Sequence, residues 1–163
     1  MAPSRAVYIG QLEILGKLVP YLSTPGLFAG CDVIHFVENT SAIYSVIKGA
    51  STSSDSARLV HLISCVLCAL DVKAYFDYVP SKENIADAPS RYDFDLVLGL
   101  GARRVSLVFP PVAALLDPAA AYSLASSLAS PLAGIAAGGE APPAVPDRVS
   151  GGARAARKRA RPS

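Results

Sequence analysis

The chain has 163 residues, 52% of them hydrophobic and 17% charged, enough apolar material for one domain core and too much for a wholly disordered polymer. Its formal charge of +2 hides an asymmetry: nine basic and twelve acidic residues precede Asp147, and six basic and one acidic residue lie from Asp147 onward. An acidic body with a basic tail excludes a uniformly basic protein that grips nucleic acid over its whole surface.

The first residues read as no secretory signal, since Pro3 and Arg5 stand near the start and no apolar h-region follows. Tyr8–Ser23 reads as a helix whose apolar stripe is Ile9, Leu12, Leu15, Val19 and Leu22, with Pro25-Gly26 as its stop. Glu13 falls beside that stripe, and helical position alone favours a solvated carboxylate at the edge of the buried face. Cys31–Val37 is β-branched and aromatic and reads as a buried strand. It stops at Glu38-Asn39-Thr40, where Asn39 or Thr40 can cap a helix Ser41–Lys48 that Gly49 closes.

Ser51–Ser54 is a polar turn, and Ser56–Leu70 is a second helix, almost wholly apolar after Arg58. Cys65 and Cys68 form a CxxC inside it, read as buried thiols because zinc would need two more ligands nearby. His35 and His61, in an apolar strand and an apolar helix, read as core or half-buried side chains rather than general bases. Asp71–Val79 alternates as a strand and ends at Pro80. Strand, helix pair and strand make a βαβ unit, which requires parallel strands and gathers ligands at their carboxyl ends. Those ends are Glu38-Asn39 and Pro80–Asp87.

Beyond Arg91 the signal weakens. Val105–Phe109 is a possible strand. Val112–Pro146 is rich in Ala, Ser, Gly and Pro and reads as a loose helix or a linker. Pro118–Gly139 is long enough to cross a bilayer, but it is too small-residue-rich, with Pro131 inside, so no membrane partner is expected. Arg154–Arg161 (RAARKRAR) reads as a disordered basic end, as a nuclear-import signal or as a loose phosphate contact, leaving a cytoplasmic or nuclear location open. The divisions expected are 8–91, an extension 92–116, and a low-complexity linker with basic tail 117–163. A nucleotide-binding GxxxxGK[ST] is absent from the sequence, and the serine-rich turn Ser51–Ser56 has no suggestive histidine partner for a nucleophilic triad.

Three acids invite a joint reading: Glu13 on the first helix, Glu38 at a strand end and Asp87 past the next strand. Converging carboxylates repel unless a cation neutralises them, and hard oxygen donors with open positions suit Mg²⁺ or Mn²⁺. Two such ions would activate a water and stabilise the leaving oxygen in phosphodiester cleavage.

The runs QLEIL at Gln11–Leu15, VENTSAIYSVIKG at Val37–Gly49 and VPSKENIADAPSR at Val79–Arg91 resemble the ribonuclease H domain that follows reverse transcriptase in retroelements, above all those of the DIRS type. The resemblance covers roughly Tyr8–Arg91, and its last motif is the most specific. It implies an α/β, partial ribonuclease H-like fold and magnesium-dependent cleavage of the RNA strand of an RNA–DNA hybrid. It also implies a reverse-transcriptase polymerase domain as a partner. Carried over by position, Glu13, Glu38 and Asp87 would be catalytic metal ligands. Asn39 and Thr40 would lie near the substrate backbone, and Ser81, Lys82 and Arg91 would contact phosphate.

Two departures cut against activity. The family's first aspartate sits on an opening strand that Met1–Val7 is too short to supply with its hairpin, so the domain reads as N-terminally truncated, like the 3′ end of a retroelement reading frame. The strand Cys31–Val37 would then have an open, apolar edge. Glu38 also stands where the family has aspartate, and one methylene displaces a carboxylate by about 1 Å, enough to cost on the order of a hundredfold in rate. The expectation is a weak or inactive enzyme. A noncatalytic module that binds nucleic acid through the basic tail, and an unrelated α/β domain, are the rivals.

Overall fold

The computed structural model describes residues 5–136. The order is α1 (Arg5–Ser23), α2 (Pro25–Phe28), β1 (Asp32–Val37), α3 (Thr40–Lys48), α4 (Ser54–Ala69), β2 (Lys73–Tyr78), a 3-10 turn (Ser81–Glu83), α5 (Asp87–Ser90), α6 (Asp95–Gly99), α7 (Val112–Leu116) and α8 (Pro118–Ala136). The strands pair in parallel, with Asp32 opposite Lys73 and Val37 opposite Tyr78. This is a mixed α/β chain with a small two-stranded sheet. The βαβ unit read from the sequence is therefore present, with both strand ends at one edge.

Local chemistry sets the boundaries. Asn39 is the N-cap of α3, its Oδ1 accepting from the Ala42 backbone N–H at 3.0 Å and from Ser41 Oγ at 3.1 Å. Gly49 closes the helix at φ 66°, a left-handed conformation that glycine adopts without steric cost. Asn39→Ala is expected to lower stability by about 1 kcal/mol, read from the shift in a urea unfolding midpoint.

The helices cover one face of the sheet. Val37 and Phe76 point inward, Val37 into a cluster with Ile14, Ala42, Ile43, Leu59 and Val60. A second cluster joins Leu18, Tyr21 and Leu22 of α1 with Leu62, Ile63 and Val66 of α4 and Ala121 and Ala125 of α8. The small alanines let α8 lie close against α4. The region expected to be a loose helix or a linker thus carries a packed helix, because its alanines recur on one face and meet the apolar face of α4. The remainder of the tail, including Arg154–Arg161, lies outside the described residues.

Four local expectations change. The buried side of α1 is Ile14, Leu18, Tyr21 and Leu22 with Val19, while Ile9 and Leu12 are exposed: the helix turns its middle toward both α4 and the sheet. The strand β1 is not buried on both sides. Ile34, Phe36 and Tyr75 are exposed on the outer face, since nothing among the described residues packs there, and β1 has one partner strand only. Val105–Phe109 is not a strand. It runs irregularly, with Val108 N–H donating to Ser23 Oγ at 2.9 Å, and Pro110-Pro111 ends it without a ladder partner. Finally, Cys68 and His61 are exposed and Cys65 is half-buried, because Leu62, Ile63 and Val66 take the inward side of α4. Among the described residues no helix is long and apolar enough to cross a membrane.

Candidate functional site

Parallel pairing brings the residues just after β1 beside those just after β2. Glu38 follows β1, and the Val79–Arg91 motif follows β2. Ser81 Oγ donates to Glu38 Oε2 at 2.5 Å and Asn84 Nδ2 donates to Oε1 at 2.5 Å. Each carboxylate oxygen therefore has its own side-chain donor, across more than forty residues of sequence. The hydrogen bonds from Ser81 and then Asn84 hold the Glu38 carboxyl below its ordinary pKa. Partial burial opposes them, and the nearby Lys17 ammonium adds to the lowering. Lys17 itself donates to the Phe36 carbonyl at 2.7 Å, tying α1 to the end of β1.

The loop is built to present these donors. Asn84 Oδ1 accepts from the Ala86 N–H at 3.1 Å and its carbonyl accepts from the Asp87 N–H at 3.0 Å. The amide is thereby fixed with Nδ2 aimed at Glu38. Asp87 opens α5 and pairs with Arg91 one turn on at 3.0 Å, both groups in contact with solvent. Ser90 Oγ donates to the Asp87 carbonyl at 2.7 Å. Lys82, Arg91, Glu83, Asp87 and Asp93 surround a shallow depression of about 420 Å³, so basic and acidic groups are mixed at its rim.

The structure brings together Glu38, Ser81 and Asn84, and separately Asp87 with Arg91. Glu13 is half-buried on α1, in a crevice with Lys17, Val37 and Ala42. Asn39 uses its amide oxygen as the cap of α3, which constrains any further role, and Thr40 is exposed at the same helix start. Among the described residues no three carboxylate, histidine or cysteine side chains are placed to hold one metal ion. Both Glu38 oxygens already accept from neutral donors and Asp87 faces a guanidinium, whereas Mg²⁺ needs carboxylate lone pairs directed at it in near-octahedral geometry. In this arrangement Glu13, Glu38 and Asp87 do not fit a Mg²⁺ or Mn²⁺ centre. No two-ion site forms from them, and the shared-cation reading of the sequence gives way to a hydrogen-bonded clamp.

Reasoning from the sequence missed Lys17, whose signal was its place one turn after Glu13 on the same side of α1. It also missed the triad Tyr21, His35 and Phe76 beneath the sheet. Tyr21 Oη lies 2.5 Å from His35 Nε2, and the His35 ring stacks on Phe76 with centroids 4.8 Å apart. Comparison of the chain with family models, curated proteins and solved structures finds no match.

Proposed function

We propose that Tyr8–Arg91 is a remnant of the ribonuclease H domain of a DIRS-like retroelement reverse transcriptase, that it contacts RNA–DNA hybrid, and that it does not cleave it at an appreciable rate. The ancestral chemistry of such a domain is Mg²⁺-dependent hydrolysis of the RNA strand. One observation carries the reading: Glu38, in the VENT run, is bonded to Ser81 and Asn84 in the VPSKENIADAPSR run. The two most specific stretches of the resemblance thus meet at the carboxyl ends of two parallel strands, where α/β sheets place ligands.

The same clamp argues for the loss of chemistry. A glutamate reaches the Ser81–Asn84 loop and spends its carboxylate there, holding the loop to the strand end. Lys82 and Arg91, exposed beside the clamp, are the groups suited to a phosphate backbone, Arg91 by exchanging Asp87 for the substrate. Hybrid binding is expected to weaken as salt rises, and Lys82→Ala is expected to reduce the log–log salt slope by about 1 without changing base preference. Gel-shift titration of a labelled hybrid over several salt concentrations reads this directly.

A second reading rests on the RAARKRAR run: nucleic acid is held by the basic tail alone, which also suits a nuclear location. Deleting 147–163 separates the two. Hybrid binding that survives the deletion and depends on Lys82 and Arg91 supports the domain reading. Binding that disappears with the tail and ignores those residues supports the tail.

A further inference from the structure

The outer side of α4 carries three soft donor groups in register. His61, Cys65 and Cys68 stand at i, i+4 and i+7, so they project from one side of the helix. That side is turned away from the core residues Leu62, Ile63 and Val66. It opens on a groove of about 730 Å³ between α4 and α8, with Tyr122 and Ser126 on the far wall. The clamp at Glu38 makes no use of this region.

Cys65 Sγ lies 3.6 Å from His61 Nε2. A tetrahedral zinc ion bound by thiolate at about 2.3 Å and by imidazole at about 2.0–2.1 Å holds its sulfur and nitrogen about 3.6 Å apart. The first two groups therefore already stand at the separation of two ligands on one ion. The CxxC spacing alone lacked further ligands, and the fold supplies His61 one turn before it.

We propose that His61, Cys65 and Cys68 form a site for a borderline-soft divalent cation of the zinc class, with water in the fourth position. Among the described residues no three such groups already surround a single point; Cys65 and His61 are in place, and a rotation of the Cys68 side chain, which is exposed and unhindered by the core, closes the set. On binding, two S–H bonds break and two metal–sulfur bonds form. The two thiol protons leave to solvent, and the imidazole binds through its Nε2 lone pair. Nitrogen and sulfur donors select this class over Mg²⁺ or Ca²⁺. The ion bridges two turns of α4, so it binds the folded helix and stabilises it by mass action.

Co²⁺ is the probe, added to the full chain kept reduced with a phosphine. The expected result is tetrahedral d–d absorption in the visible with a thiolate charge-transfer band in the near ultraviolet. Both bands should be displaced by Zn²⁺, and Zn²⁺ should raise the melting temperature reversibly with a chelator. Cys68→Ser and His61→Ala, both at exposed positions, are each expected to weaken Co²⁺ affinity by at least the roughly 10–100-fold that loss of a supporting second-shell group costs. Cys31→Ser, remote on the β1 side, is expected to leave it unchanged. Absence of the thiolate band, or a band that survives Cys68→Ser and His61→Ala, would overturn the site.

Discussion

Truncating Leu62 to alanine is expected to lower the free energy of unfolding by about 2–5 kcal/mol, the usual range for a fully buried leucine that leaves a partly unfilled cavity. Leu62 has no solvent exposure and sits in the cluster that unites α1, α4 and α8. Its surroundings cannot easily collapse, because Leu18, Tyr21, Ile63 and Val66 are themselves buried on separate helices. A domain of this size has about 5–15 kcal/mol in total, so one such change removes a large share of it. The companion variant is Leu12→Ala, at an α1 position that is 64% exposed and expected to cost under about 0.5 kcal/mol. Chemical unfolding of both, compared at equal m-value, checks the packing. Equal costs would mean that the α1–α4–α8 core is not formed as described.

Acidification is the second large effect. Burial, and after it the Lys17 ammonium, pushes His35 down to about 4 from an ordinary 6.5. The ring is stacked on Phe76 and hydrogen-bonded to Tyr21, so the charged form would have to be accommodated among aromatic faces. Between pH 6.5 and 4 the unfolded chain takes up a proton that the folded chain refuses. Stability is then highest above 6.5 and falls as the pH drops through that window. With a ring still partly open to solvent, the loss is about 1–2 kcal/mol. His35→Gln is expected to remove most of this dependence. Glu38 adds to the acid limb: its carboxyl titrates below the ordinary range, so the stability it contributes is lost as the pH falls through its folded pKa. Tyr21 shapes the alkaline limb. Burial raises it to about 12, so stability declines as the pH rises above 10, where the unfolded phenol ionises first. Thermal melts from pH 4 to 11 on the wild type and the His35 variant read all three limbs.

The elements legible in the sequence were those with strong local punctuation. Asn39 and Gly49 bracket α3, Pro80 ends β2, and the β-branched run before Glu38 makes β1. Each signal is a backbone requirement that one or two residues settle. The parallel pairing followed from the helix pair between the strands, and it placed the VENT and NIADAPSR runs at one end of the sheet. What could not be read was direction around a helix axis. The α1 pattern is apolar on more than one side, and only the neighbours α4 and the sheet decide that Ile14 and Leu18 are buried while Ile9 and Leu12 are not. The same ambiguity placed Cys68 and His61 inside, when Leu62, Ile63 and Val66 take that side of α4. The helix α8 was hidden for a different reason: alanine packs by allowing close approach, a property of the pair of helices and not of its own run. The partners of Glu38 were the hardest to foresee. Charge and spacing suggest a cation for it, but whether a carboxylate faces a metal or a serine and an asparagine depends on where one loop falls.

The most direct test of the account is cleavage of a labelled RNA–DNA hybrid by the purified chain across a Mg²⁺ titration, beside Asp87→Asn. The account expects the hybrid to be retained at low salt and to remain uncut at every Mg²⁺ concentration. Metal-dependent cutting that Asp87→Asn abolishes would contradict it, showing that the carboxylates gather around an ion and that the Glu38 clamp opens to let them.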